Sequence, residues 1–277
     1  MNCKNCNDYI QHEYRFCPNC GAKTEVRRVT FKTLIKDFLD RVFDLDNSLF
    51  RTIKGMILRP EAVIDGYLSG LRKRYLNPVS VLGISLTLAG LMIFVMQKMY
   101  GGEIDFTGGA QNVNPEFSRK WGDIMFDFNA VFYVMNIPIL ALPAFFLFNR
   151  RKYNLAEHHV ALIYCLSTYS IISFPISMVL LITGPDTYLA SSQWSLAVMM
   201  IFTLYIYWRL NRYKAFSFIW RSLLYILLVV ILFFMLIIGL LILLIVTDYF
   251  SLEDFRPVEP AAESALLWIG EMSMMLA

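Results

Sequence analysis

Five long apolar blocks, broken by short charged stretches, organise most of this chain. Val79–Gln97 contains no charged residue, and Phe128–Phe148, Val160–Thr183, Leu189–Trp208 and Ile219–Val246 follow. In the last block only Arg221, near its start, is charged. Each block is near or above the roughly 20 residues that cross a bilayer core of about 30 Å. Pro138, Pro143 and Pro175 fall inside blocks, where they predict kinked helices whose freed carbonyls find partners on neighbouring helices. The pattern predicts an all-α polytopic membrane protein with five transmembrane helices. The short connection Gly184–Ser192 predicts that the third and fourth spans form an antiparallel hairpin.

Ahead of these blocks the pattern changes. Phe31, Leu34, Ile35, Phe38, Leu39, Val42 and Phe43 recur at helical spacing, with Lys32, Lys36, Asp37, Asp40 and Arg41 on the other side. This predicts an amphipathic helix. Asp46-Asn47-Ser48 offers a helix start, Leu49, Phe50, Ile53 and Ile57 continue it, and Pro60 ends it. A short helix over Glu61–Leu68 then leads into the first span. Such amphipathic helices lie in the membrane interface or pack on the end of a bundle. In the loop between spans one and two, Asn114-Pro115-Glu116 predicts a short helix carrying Phe117, Trp121 and Ile124. Trp121 and Tyr100 suit an interfacial aromatic belt. A stretch from Ala265 to Met272 is too short to span and predicts a surface-seated helix.

Composition agrees with the blocks: 57% of residues are hydrophobic and 17% charged, which excludes a simple soluble globule. The net charge of +3 is too small to point to nucleic acid. Its distribution says more. Arg72-Lys73-Arg74 precedes span one, Arg150-Arg151-Lys152 separates spans two and three, and Arg209, Arg212, Lys214 and Arg221 surround the connection from four to five. These alternate loops share one side, which the positive-inside rule makes cytoplasmic. Gly184–Ser192 has no Lys or Arg, and the tail after Val246 is mostly acidic. The expected topology therefore has a cytoplasmic N-terminus and an extracytoplasmic C-terminus.

That topology places four cysteines in a reducing compartment. Cys3 and Cys6 form one CxxC pair and Cys17 and Cys20 a second. Each pair turns tightly enough to aim two thiolates at one centre, and two pairs close a tetrahedral S4 site of the kind structural zinc prefers. Pro18 rigidifies the second turn, and Gly21 suits the positive φ of a metal knuckle. The alternatives are an iron–sulfur cluster, two disulfides or free thiols. Cys165, alone in an apolar run, reads as a packing residue.

Two further groups carry candidate chemistry. Glu157, His158 and His159 open span three, where they suit metal binding or proton handling, or a polar cap at the membrane border. Adjacent helical residues diverge by about 100°, and no His or Glu stands four residues on, so no HExxH face forms. Ser167, Thr168, Ser170, Ser173 and Ser177 line span three, and Ser80, Gly83, Ser85, Ala89 and Gly90 mark span one. Such residues allow close helix packing, and a substrate path uses the same types. The spans carry no mid-membrane Asp, Glu, Lys or Arg, which ion-coupled transporters and pumps usually have. No nucleophile elbow, phosphate-binding Gly-rich loop or triad is apparent.

The chain resembles an uncharacterised family of bacterial multi-pass membrane proteins that carry an N-terminal zinc ribbon and a domain of unknown function. The resemblance rests on Cys3, Cys6, Cys17, Cys20 and Gly21, on Pro60 through Tyr67, Gly70, Arg72, Tyr75 and Pro78, and on Glu157-His158. It implies architecture and a zinc ribbon, not an activity. By topology alone the chain is also similar to the Yip-type five-span proteins of vesicle trafficking.

The expected organisation is a zinc ribbon over 1–25, amphipathic interfacial helices over 26–78, a five-span domain over 79–248 and an extracytoplasmic tail over 249–277. The expected location is the bacterial inner membrane. The expected function is binding or scaffolding, with lipid around the spans, a protein partner at the ribbon and no nucleic acid. Homo-oligomerisation is compatible with this. A small-molecule transporter or permease, and a membrane-embedded enzyme, are the rival readings.

Overall fold

Prolines mark where the helices begin. Pro60, Pro78, Pro115 and Pro185 each stand at a helix start, where the missing N–H costs nothing and the fixed φ is already helical. The computed structural model describes residues 2, 3, 6, 8, 9, 11, 14, 17–20, 48–70, 74–100, 114–251 and 253–256. The chain divides into two units, Met1–Asn47 and Ser48–Ala277. The expected amphipathic helix over 31–43, Gly21, the loop over 101–113 and the tail helix over 265–272 lie outside the described residues.

The described part of the second unit is helical. Residues 48–58 form α1, and α2 (Pro60–Leu68), α3 (Pro78–Tyr100), α4 (Pro115–Asp127), α5 (Asn129–Leu147), α6 (Leu155–Thr183), α7 (Pro185–Asn211) and α8 (Ala215–Val246) follow. Five of these, α3 and α5–α8, are long and apolar enough to cross a membrane. Their bounds differ from the apolar blocks for local reasons. The helix α6 starts at Leu155, because Asn154 and Glu157 cap each other's backbone N–H groups. The expected loop Gly184–Ser192 shrinks to Gly184, since Pro185 already opens α7. Gly184 has φ +151° and ψ 149°, a conformation essentially restricted to glycine, and it turns the chain back in one residue.

The central helix is α6, which packs against α3, α5 and α7. Its first half buries Ala161, Leu162, Tyr164, Cys165, Leu166, Ser167 and Thr168. Small and hydroxylated side chains there bring the neighbours close. The Oγ atoms of Ser85 on α3 and Ser167 lie 3.2 Å apart, and further along both helices the Tyr100 hydroxyl donates to Leu181 O at 2.7 Å. The two bonds advance together, so α3 and α6 run parallel. Tyr133 meets Ser170 across α5 and α6 at 2.9 Å, and Tyr169 meets Ser195 across α6 and α7 at 2.6 Å. Cys165 is buried, with Sγ 3.5 Å from Thr203 Oγ1, as a packing residue would be. The last span, α8, packs chiefly against α5, burying Ser222, Tyr225 and Val229.

The end of the bundle where α3, α6 and α8 begin is closed by α1 and α2. The Leu76 peptide is gripped from both sides: its N–H donates to Thr52 Oγ1 at 2.9 Å, and its carbonyl accepts from the Tyr164 hydroxyl at 2.7 Å. Thr52 and Tyr164 are both fully buried. On α2, Glu61 forms a forked ion pair with Arg209 of α7 at 2.6 and 3.3 Å. One turn on, Asp65 bonds Arg151 and the Tyr153 hydroxyl. At the opposite end α4 docks on the turn after α8. Phe117 sits 5.3 Å from Phe250 and 5.2 Å from Phe255, and Lys120 pairs with Asp254 at 2.9 Å.

Candidate metal centre

The first unit is built around sulfur. An isolated antiparallel bridge joins Asn2 to Tyr9, and the Cys3 N–H donates to Asp8 O at 2.8 Å, so the first CxxC sits in a short hairpin. Residues 18–20 form the turn that carries the second. The Asn19 side-chain amide donates to the Asp8 carboxylate and ties the two turns together. The sequence did not point to this bond between Asp8 and Asn19. Their only signal is position, just after Cys6 and inside the second CxxC pair.

All four Sγ atoms lie within 4.8 Å of one another. Cys3 and Cys20 approach to 3.5 Å, and so do Cys6 and Cys17. Each close contact therefore joins one CxxC pair to the other. A tetrahedral site with Zn–S bonds of about 2.3 Å has sulfur–sulfur edges of about 3.8 Å, so the array fits a four-thiolate ion with little movement. None of the five cysteines is in a disulfide. Cys3 and Cys17 are buried, Cys6 is half-buried and Cys20 is exposed. A backbone hydrogen bond from Asp8 pulls the Cys6 thiol down, but the contact with Cys20, desolvation and the contacts with Cys17 and Cys3 win and push it up to about 12. Crowded thiols hold their protons against one another, whereas a cation among them favours the thiolates. Four protein ligands leave no position for substrate, which is the pattern of a structural site.

Glu157, His158 and His159 do not converge. Glu157 accepts the Asn154 N–H at 2.8 Å as half of the capping box. His158 is buried among Phe145, Tyr153 and Tyr207, with Nδ1 3.3 Å from the Tyr207 hydroxyl. His159 Nδ1 bonds back to Leu155 O at 2.8 Å. Among the described residues, the four cysteines form the one cluster of metal-ligand type. Asp123 and Asp127 are exposed at the end of α4.

The ion pairs at the α1–α2 end escaped sequence reasoning. Glu61 and Asp65 stand four apart on α2, a spacing that puts both carboxylates on one face, but their partners lie far along the chain. Partial burial raises the Glu61 carboxyl, yet the hydrogen bond and charge of Arg209 outweigh it and hold the group below its ordinary range. Burial, reinforced by the bond to Asp65, pushes the Tyr153 phenol up to about 12.

No curated protein and no solved structure matches the chain. Residues 46–90, which contain α1, α2 and the first half of α3 but none of the four cysteines, match a family described as "Protein of unknown function (DUF3667)".

Proposed function

We propose that the chain is a multi-pass membrane protein whose four-cysteine unit binds one zinc ion through Cys3, Cys6, Cys17 and Cys20 and docks a partner protein on the cytoplasmic side. The mutual approach of the four sulfurs within 4.8 Å carries this reading. Zinc in such a site supplies folding free energy and a fixed surface, on the order of 10 kcal/mol in comparable small sites. Docking is supported by the closed ligand set and by the four cysteines forming part of a compact unit of their own.

The orientation is supported by charge. Arg150 donates to Arg212 O, Arg221 to Leu147 O and Arg209 to Glu61, which gathers these cations where α5 and α7 end and α6 and α8 begin. That basic end is read as cytoplasmic. At the other end Lys120 is neutralised by Asp254.

Purified full-length protein should contain about one zinc per chain. Replacing Cys17 and Cys20 with Ser should abolish it, leave the membrane helices extractable as a monodisperse species and remove capture of the partner. Metal-free protein, or iron with visible absorbance, overturns the zinc reading. Aggregation of the variant overturns docking by a separable module. A reporter fused after Ala277 should read as extracytoplasmic, and a cytoplasmic signal there refutes the topology.

A further inference from the structure

Among the described residues, the cations on α1, α2 and their connections, or bonded to them, fall into two sets. Arg209 and Arg151 are matched by Glu61 and Asp65. Arg51, Lys54, Arg59 and Arg74 are not: among the described residues none of them has a carboxylate partner, and all four are exposed. These four converge on one groove of about 720 Å³.

The groove follows from how the two helices face each other. From α1 it takes Arg51, Lys54, Gly55 and Leu58, and from α2 and its C-cap it takes Ala62, Asp65, Gly66 and Ser69. Both sets have the spacing i, i+3, i+4, i+7 of a single helix face. One face carries two cations, and the other carries small residues apart from Asp65. Gly55 sets the separation: a Cβ there would lie 2.6 Å from Val63 Cγ2, so only glycine lets α1 come this close to α2. Arg59, from the connection between the helices, and Arg74, from the strap before α3, complete the lining. Arg74 is held over the Tyr75 ring at 5.7 Å, and Arg51 reaches the Arg74 carbonyl at 3.5 Å. The one carboxylate on the wall, Asp65, is already engaged by Arg151 and Tyr153.

Here four exposed cations surround a concavity whose one carboxylate is already paired with Arg151, so their summed field favours an anion between them. Three of the four are arginines, whose planar forks match phosphate oxygens. The neighbouring surface is apolar: Phe50 is 73% exposed, Leu58 55% and Ile57 42%, all on α1. A ligand with a phosphate at one end and hydrocarbon at the other satisfies both surfaces.

We propose that this groove binds a phosphate-bearing anion, presented at the membrane border as the headgroup of an anionic phospholipid. The site lies wholly within the stretch over 46–90 and is independent of the cysteine unit, so it stands or falls apart from zinc binding.

The test uses the full chain, purified in detergent and stripped of lipid. Native mass spectrometry compares retention of dioleoyl phosphatidylglycerol with that of the zwitterionic phosphatidylcholine. A second arm measures the thermal shift from inorganic phosphate against chloride at equal ionic strength. Arg51→Gln with Arg74→Gln removes two exposed cations. Ala62→Leu fills the groove and leaves every cation in place. Lys152→Gln removes an exposed cation of the same border outside the groove and is the control.

Preferential retention of phosphatidylglycerol by the wild type is expected. It should fall by about fivefold for each cation removed, be lost in Ala62→Leu and persist in Lys152→Gln. A phosphate shift that follows the same variants without any lipid preference supports the site and identifies a soluble phosphate ester as its source. The proposal is overturned if neither probe is preferred, if Ala62→Leu binds like wild type, or if Lys152→Gln loses as much as the arginine variant.

Discussion

The double grip on the Leu76 peptide makes a quantitative prediction. Thr52→Val keeps the side-chain shape but removes the oxygen that accepts the Leu76 N–H. That N–H is buried, and leaving it unsatisfied costs about 1–3 kcal/mol. The same change removes the Thr52 bond to Ser48 O, which stays within the helix and adds little. Tyr164→Phe leaves the ring in place and deletes the donor to Leu76 O. A carbonyl has a second lone pair, and hydrogen bonds inside membrane bundles average about 0.6 kcal/mol, so the smaller loss belongs here. Both substitutions act on one peptide group, so the double variant should lose about 0.5–1 kcal/mol less than the sum of the two. The assay is the unfolding midpoint of full-length protein in detergent, where each kcal/mol is worth about 2–4 °C at this size. An unchanged midpoint for Thr52→Val, or strict additivity in the double variant, refutes the idea that the strap before α3 is pinned through this single peptide.

Three further outcomes are expected. Gly55→Ala should destabilise by about 1–3 kcal/mol, because its Cβ meets the stiff, fully buried Val63, and Val63→Ala in the same chain should recover most of that; a neutral single variant would mean α1 is loosely seated. The depressed Glu61 carboxyl contributes stability above its unfolded value of about 4.3, and this is lost as pH falls through the lower folded value. Wild type should therefore lose midpoint faster below about pH 4 than Glu61→Gln, and parallel pH profiles would discount the Arg209 pair. Ser167→Leu should cost about 1–3 kcal/mol by forcing α3 from α6, whereas Ser167→Ala should cost under 1; equal effects would make the hydroxyl, not the closeness, the important feature.

What could be read from the sequence divides along physical lines. The apolar blocks were legible because charge is excluded from a bilayer core whatever the neighbours do. The short helices over Glu61–Leu68 and after Asn114 were legible because proline and a capping residue act locally. The four cysteines were legible because CxxC spacing itself dictates convergence, and the structure brings all four together. Helix ends drifted where polar groups extend a helix past its apolar stretch. Arg221 lies well inside α8, reaching back to Leu147 O at 2.6 Å, and the Asn154–Glu157 box moves α6 forward. Wholly illegible were contacts between distant residues. Nothing near Glu61 names Arg209, and nothing near Arg51 says that Arg74 will share its groove while every nearby carboxylate is taken. Arg74 read only as part of a topology signal, since sequence cannot distinguish a cation that faces solvent from one that lines a groove.

The length of α8 has a mechanical consequence. Its 32 residues make a rod of about 48 Å, and the part beyond Arg221 alone measures about 38 Å, against a hydrocarbon layer of about 30 Å. Seated in such a layer, that part is accommodated by tilting or by local thickening of the lipid around it. Its lower end is anchored by Arg221 on Leu147 O, while most of its remaining surface faces outward. Its slope is set by packing on α5 and by the Arg221 anchor, and the thickness of the surrounding lipid biases it. A thicker membrane raises the rod, a thinner one lowers it, and the turn at its far end travels with it. Because Asp254 in that turn holds Lys120, α4 travels too.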